Sequence, residues 1–284
     1  MVKGPRSFCL GIGAPRSGTT WLYMNMRASA DLYMPPVKEL RFFKGLRSLH
    51  EKTQQMHSLL ASDGVTEADN AFIDKWRKAT DGNPEEYLGL FPKEGAIGEI
   101  SPIYSVLTLT EISVIHKVLE SFDTKVFYIL RNPFFRDISH VVFAMHRRKN
   151  RKKPYTTKEY DAFITTKMFI RRSNYQRNIR AWRTLFKERL KVFYFDELDE
   201  APKTFFKKFA EEMELKYDSG KVTGTKENKS GSEGSYKTRL PDEIIEKLKV
   251  RHLATIPESK VITKHYKAKW IAEIEAFSQD IDVS

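Results

Sequence analysis

A glycine-bounded loop near the start of the chain has the residue types that bind a phosphate. In "GAPRSGTT" (13–20), called the glycine loop below, Gly13 and Gly18 enclose Arg16 and Ser17, and two threonines follow. Glycines allow tight turns and close approach, and N–H groups at a helix start donate to anions. A Walker A loop has lysine where Thr19 stands, so this loop suits one phosphate with an attached group better than a triphosphate with Mg²⁺. An ordinary capped strand-to-helix turn is the simpler alternative.

A second cationic motif follows the apolar run "KVFYIL" (125–130). Arg131 comes directly after this run, Pro133 suits the first turn of a helix, and Ser139 lies further along that helix. An arginine gives charge-assisted forked hydrogen bonds, and a serine near the positive end of a helix adds a donor. Either residue alone would be an ordinary surface side chain. The spaced pattern predicts a second phosphate site.

Both motifs resemble those of sulfotransferases. "PRSGTTWL" (15–22) resembles the loop that binds the 5′-phosphosulfate of 3′-phosphoadenosine 5′-phosphosulfate (PAPS), and "RNPFFRDIS" (131–139) resembles the motif that binds its 3′-phosphate. The resemblance implies PAPS as cofactor, 3′,5′-bisphosphoadenosine (PAP) as product and no metal. It implies a 5′-phosphosulfate site formed by Arg16, Ser17, Gly18, Thr19 and Thr20. It implies a 3′-phosphate site formed by Arg131 and Ser139, with Arg16 also stabilising charge on the bridging oxygen.

The resemblance covers roughly residues 8–215, so of the expected adenosine contacts it includes Trp21 and not the segment 219–240. Trp21 holds the position where several cytosolic members place a tryptophan against adenine, and core packing is the equal alternative. The Gly-, Ser- and Lys-rich segment 219–240 is expected to form a mobile flap over the cofactor. In it, Lys229 is expected to donate to the 3′-phosphate and Tyr236 to cover adenine. A solvated loop is the alternative for this segment.

"VKELRFFKG" (37–45) resembles the Lys-Glu-x-x-Phe-Phe segment of glycan-directed sulfotransferases. The resemblance implies that Glu39 takes the proton of the acceptor hydroxyl and that Lys38 neutralises the sulfuryl oxygens. A solvent-facing charged pair is the alternative. Cytosolic members use a histidine base instead, and five histidines lie in regions that could approach the site: His50, His57, His116, His140 and His146.

"GEISPIYS" (98–105) resembles a Glu-Lys-Ser-Pro-x-Tyr segment of the same branch. The resemblance implies that Glu99, Ser101 and Tyr104 line the acceptor side. Ile100 stands where the branch has lysine, so the class of acceptor stays open. A hydroxyl is expected to be the acceptor group ahead of an amine, on an anionic glycan or a small molecule.

The net charge of +12 suits an anionic partner without selecting one. The basic run 147–153 is a solvated loop or a contact for an acidic substrate, and it lacks the interleaved aromatics of a nucleic-acid surface. Two other functions stay open. One is a P-loop kinase or nucleoside triphosphatase, with Asp196 and Glu197 as a Walker B pair. The other is a protein that uses its basic surface to bind nucleic acid or another polyanion and has no catalysis.

The sequence around these residues predicts alternating strands and helices. Non-alternating apolar runs at 7–13, 96–100, 125–130 and 191–195 predict buried parallel strands, and helical periodicity fills the intervals. The fold class is therefore α/β, with a parallel central sheet flanked by helices; the resemblance implies the P-loop-like sulfotransferase fold. We expect one domain over 1–284. Without a membrane-length apolar run or a leader, a cytoplasmic location is expected, with Cys9 a buried hydrophobe.

Overall fold

A computed structural model describes residues 6–43, 66–79, 83–146, 154–224 and 240–278. Its sheet has four parallel strands in the order β2–β1–β3–β4. The strands are β1 (Arg6–Gly13), β2 (Ile97–Ile100), β3 (Phe122–Leu130) and β4 (Leu190–Tyr194). All four predicted strands are confirmed, each within three residues at either end.

Helices occupy the connections between the strands. The helices of the described residues are α1 (Thr19–Ser29), α2 (Glu67–Lys78), α3 (Pro84–Gly89), α4 (Leu109–Val118), α5 (Pro133–His146), α6 (Thr157–Ile164), α7 (Lys167–Ser173), α8 (Tyr175–Phe186), α9 (Phe195–Glu200), α10 (Pro202–Glu212), α11 (Asp242–Glu258) and α12 (Lys264–Glu275). Pro133 opens a helix, as predicted, and Pro202 opens another. None of these helices is long and apolar enough to cross a membrane.

Successive strand residues enter two different apolar layers. Phe8, Leu10 and Ile12 of β1 pack into the larger layer with helices α4, α5 and α8. Cys9 faces the opposite way, into the layer that α1 and α10 cover. Both faces of the sheet are therefore buried, which explains why its strands lack polar alternation and confirms the α/β class.

The carboxyl ends of the parallel strands share one edge of the sheet, where α/β proteins usually bind ligands. The glycine loop leaves β1 there, and Arg131 follows β3 directly. Residues 33–39 run along the outer side of β2: Tyr33 bridges Ile97, and the Glu39 N–H donates to the Ile100 carbonyl at 3.0 Å. This pairing brings Lys38 and Glu39 to the same edge.

Candidate functional site

The glycine loop ends on a glycine that no other residue could replace without strain. Gly18 has a φ of +75° and is the N-cap of α1. A Cβ built on it would lie 2.3 Å from Cδ2 of Leu198, which is buried. The loop is fixed to the sheet by the Ala14 N–H, which donates to the Ile129 carbonyl at 3.0 Å. Backbone and helix start are thus held in the geometry that presents N–H groups to an anion.

Ser17 is the observation in the loop that points to a ligand. Its side chain is fully buried, and its hydroxyl has no hydrogen-bond partner among the described residues. A buried hydroxyl without a partner costs about 1–3 kcal/mol, so such groups in native sites usually serve a ligand or water. Thr19 beside it is buried and Thr20 is half-buried. The donor set of this loop therefore fits a phosphate or phosphosulfate group.

The residues predicted for the two phosphates contact one another. Arg131 Nη1 donates to the Arg16 carbonyl at 2.9 Å, and Arg16 Nε donates to Ser139 Oγ at 3.0 Å. The Arg131 guanidinium lies 4.5 Å from the ring centre of Phe195, and that of Arg16 lies at the same distance from Phe143. Burial lowers the pKa of Arg131, which Asp196 and Asp199 oppose. Two arginines and a serine, far apart in sequence, form one cationic group.

Glu39 lies in the same region and is held by two cations. Its Oε1 accepts from Lys38 Nζ at 3.0 Å, and its Oε2 accepts from Arg41 Nε at 3.0 Å and Nη2 at 2.5 Å. Burial alone would raise the pKa of Glu39, but the charges of Lys38 and Arg41 outweigh it and bring that pKa down to about 2. Glu39 is therefore ionised at neutral pH. Arg41 is not among the residues that the motifs predict for the site, although it stands two residues after Glu39 in "KELR".

Glu99, Ser101 and Tyr104, predicted to line the acceptor side, form a buried network instead of an open surface. None of the three is more than 1% exposed. Glu99 accepts from the hydroxyls of Tyr87 and Ser101, both at 2.5 Å. Ser101 Oγ in turn accepts from the Arg41 N–H at 3.0 Å. The network therefore holds the backbone of the 37–43 segment at Arg41.

Of the two candidate histidines whose side chains the structure describes, His140 lies nearer to the cationic group. It is the neighbour of Ser139, and its Nε2 lies 2.6 Å from Arg172 Nη1. Burial lowers its pKa to about 2, helped by Arg172, Arg136 and Arg16, so the imidazole is neutral. His116 lies on α4 beside Arg189 and Phe186, away from this edge. His50 and His57 lie outside the described residues, as does the side chain of His146.

The predicted adenosine contacts are only partly described. Trp21 is 7% exposed and packs against Phe205 and Phe206, with ring centres 6.4 and 6.1 Å away. This is the core packing that the sequence left as the alternative to an adenine contact. Lys229, Tyr236 and the basic run 147–153 lie outside the described residues. Of the expected flap, residues 219–224 and Leu240 are described; Val222 and Leu240 are buried, and the others are exposed.

Asp196, the metal ligand expected in the Walker B alternative, makes structural contacts instead. Asp196 accepts from Trp270 Nε1 at 3.1 Å and pairs with Lys269 at 2.9 Å, which fixes α12 to the end of β4. Glu197 is engaged by Lys208 at 2.8 Å. Both carboxylates are thus engaged by side chains of the protein itself, and a kinase or nucleoside triphosphatase is not favoured.

The sequence profile of the Sulfotransferase family matches residues 10–219. The chain belongs to the sulfotransferase family. Its fold is similar to that of a sulfotransferase from Alicyclobacillus acidocaldarius, at 18% identity and a TM-score of 0.54, covering 98% of this chain and 99% of that one. It is also similar to the sulfotransferase domain from the curacin biosynthetic pathway, at 15% identity and a TM-score of 0.51, covering 96% of this chain and 98% of that one. No curated protein sequence matches the chain.

Family membership confirms the resemblance read from the two phosphate motifs and the P-loop-like fold that it implied. The match begins within β1 and includes the glycine loop, Lys38–Glu39 and Arg131–Ser139. It does not select a branch of the family, so the glycan-directed assignment stays a prediction. In this sulfotransferase the carboxyl edge of the sheet carries the residues predicted to bind the two phosphates and the carboxylate predicted to be the base.

Proposed function

We propose that this sulfotransferase transfers the sulfuryl group of PAPS to a hydroxyl of its acceptor. The observation that carries the proposal is the contact chain Arg131–Arg16–Ser139 beside the unpartnered, buried hydroxyl of Ser17. This chain gives adjoining sites for two anionic groups of one nucleotide, the 5′-phosphosulfate at the glycine loop and the 3′-phosphate at Arg131 and Ser139. An arginine at each site offers the forked donors that phosphate oxygens accept.

Each residue then has a definite task. PAPS supplies an activated sulfuryl group, whose bond to the phosphate oxygen breaks as the acceptor oxygen bonds to sulfur, leaving the electron pair on that phosphate. Arg16 stabilises the charge that develops on this oxygen, and Lys38 neutralises the sulfuryl oxygens. Glu39 receives the proton of the acceptor hydroxyl. We propose that these fixed cations take the part that Mg²⁺ has in nucleoside triphosphatases, so no metal is required.

The remaining site predictions belong to the same proposal. Trp21 would border adenine with the edge of its ring system, Lys229 would donate to the 3′-phosphate, and Tyr236 would cover the base. Glu99, Ser101 and Tyr104 would act on the acceptor chiefly by holding the 37–43 segment in place. We further propose that residues 1–284 act as one domain and that the protein works in the cytoplasm.

Transfer of radiolabel from PAPS to a panel of hydroxyl and amine acceptors, glycans and small alcohols included, tests the proposal. We expect label in at least one hydroxyl acceptor with EDTA present. The matched control is Arg27→Gln, because Arg27 is a surface arginine paired with Asp69 outside the site. Label transferred only to amines, or only with added metal, would contradict the proposal.

A further inference from the structure

Both oxygens of Glu39, the proposed base, already accept hydrogen bonds from cations, although a base needs a free lone pair to take a proton. Glu39 Oε2 receives two N–H donors from the one guanidinium of Arg41, and Oε1 receives the ammonium of Lys38. A carboxylate oxygen with both lone-pair directions filled by a cation is a poor proton acceptor. In this arrangement Arg41 therefore blocks Oε2 of Glu39. The Arg41 guanidinium has to move away before Oε2 can accept a proton.

Of the two cations on Glu39, the Arg41 side chain is the one that can move. Its side chain is 41% exposed, whereas that of Lys38 is 8% exposed. The Arg41 backbone is anchored, since its N–H donates to Ser101 Oγ, which the buried Glu99 holds. The guanidinium can thus swing on a fixed backbone without disturbing the segment.

A second guanidinium lies close to this pair. Arg172, on α7, directs Nη1 to His140, while its Nε is buried with no hydrogen-bond partner in the described parts of the chain. Its partner His140 follows Ser139, which accepts from Arg16 Nε, so Arg172 borders the cationic group. Burial and the charge of Arg41 lower the pKa of Arg172, and the charge of Glu39 opposes them. The charges of Arg172, Arg136 and Arg16 all act on His140, whose imidazole is neutral. Among the described residues Arg172 has no hydrogen bond or ion pair with a carboxylate, whereas Glu39 is already engaged by Lys38 and Arg41.

We propose that Arg41 is a positioning residue that releases Glu39 when a carboxylate on the acceptor draws the Arg41 guanidinium away, with Arg172 as the second arginine for that carboxylate. The site then selects acceptors with a carboxylate near the reacting hydroxyl, because only these unmask the base. This inference rests on the proposed function. It assigns a substrate class to the same site and a role to two arginines that the motifs did not indicate.

The first test measures Glu39 without any sulfuryl transfer. Protein carrying carbon-13 in its glutamate side chains is titrated by NMR, and the Glu39 signal is identified by its loss in Glu39→Gln. We expect no Glu39 titration near the ordinary glutamate value of about 4.3 in the wild type, and a step near that value in Arg41→Gln. Arg27→Gln is the matched control, because its side chain is also 41% exposed and carboxylate-paired, and it should titrate like the wild type.

The second test adds a matched pair of probes to the wild type: glycolate, a hydroxyl with a carboxylate, and glycolamide, its neutral amide. We expect glycolate to shift the Arg41 guanidinium resonances and to bring a Glu39 step into the range seen for Arg41→Gln. Glycolamide should do neither. In Arg172→Gln, the glycolate concentration that gives half of the effect should rise at least roughly tenfold. Equal responses to both probes, or a Glu39 titration that Arg41→Gln leaves unchanged, would overturn the inference.

PAP binding, followed separately by calorimetry, keeps the two proposals distinguishable. If PAP fails to bind while glycolate releases Glu39, the arginine mechanism stands and the sulfuryl donor is wrong. If PAP binds while glycolate leaves Glu39 unchanged, the donor stands and the carboxylate selection is wrong. Among acceptors found with PAPS, kcat should favour carboxylates over their amides in the wild type, and Arg41→Gln should remove this preference.

Discussion

Replacing Gly18 by alanine tests whether the glycine loop is held as tightly as the structure indicates. The substitution puts a Cβ at a φ of +75°, 2.3 Å from Leu198 Cδ2 and 3.2 Å from two Phe195 ring carbons. The left-handed backbone costs about 1–2 kcal/mol, and forcing a methyl group against a packed side chain costs about 1–3 kcal/mol more. We therefore expect Gly18→Ala to lower the free energy of unfolding by about 2–5 kcal/mol and to weaken PAP binding.

The chain offers a control that separates the two contributions. Gly95 has nearly the same φ, +79°, with no atom within 4 Å of a built Cβ. Gly95→Ala should thus lose only the backbone part, about 1–2 kcal/mol, and leave PAP binding unchanged. Urea unfolding of both variants gives the difference, and Leu198→Ala added to Gly18→Ala should recover part of the packing loss. If Gly18→Ala costs no more than Gly95→Ala, contact with Leu198 does not fix the loop and the reasoning fails.

Three further variants probe individual side chains. Ser17→Ala removes a buried hydroxyl that has no partner among the described residues, so it should leave stability unchanged or raise it, yet weaken PAP binding by about 1–3 kcal/mol. The control, Ser105→Ala, loses the 2.8 Å hydrogen bond from Ser105 Oγ to the Pro102 carbonyl and should instead lose about 1 kcal/mol of stability. Loss of stability in both serine variants alike would contradict the ligand role. Glu39→Gln should keep PAP affinity and lose two to four orders of magnitude in single-turnover transfer, roughly the range for a positioned base, and near-normal transfer would move the base elsewhere. His140 has a folded-state pKa of about 2, below its unfolded value of about 6.5, so the unfolded chain binds a proton first and stability falls as pH drops below about 6.5. Unfolding free energies at pH 8 and pH 5 should differ by about 2 kcal/mol more in the wild type than in His140→Gln, and equal differences would show that His140 is not kept neutral.

The sequence predicts most of the sheet because burial on both faces leaves a plain signal. Runs such as 7–13 and 191–195 are apolar without alternation, and the structure places strands over them. Helical periodicity runs over 109–122, yet α4 ends at Val118 and β3 already begins at Phe122, so periodicity alone overstates this helix. The strand order, and the pairing of Tyr33 with Ile97, depend on contacts between distant residues that no local pattern contains.

In the site, too, local motifs can be predicted from the sequence and contacts between distant residues cannot. The spacing of glycine, arginine and serine predicts the two phosphate motifs, because each requires a fixed local geometry. The bond from Arg16 to Ser139 joins residues separated by more than a hundred positions, so the motifs could be predicted and their contact could not. Arg41 was missed for a different reason: a charged residue beside Glu39 reads as surface until the Ser101 hydroxyl is seen to hold its backbone.

Calorimetry of nucleotide binding in EDTA tests the central claim most directly, namely that the carboxyl edge of the sheet binds the two anionic groups of PAPS. We predict that PAP binds without metal and that ATP, which lacks a 3′-phosphate, binds much more weakly. Arg131→Ala should weaken PAP binding by about 2–3 kcal/mol, roughly 30- to 150-fold, and leave the affinity for 5′-AMP unchanged. Equal binding of ATP and PAP, a strict need for Mg²⁺, or wild-type PAP affinity in Arg131→Ala would contradict the account.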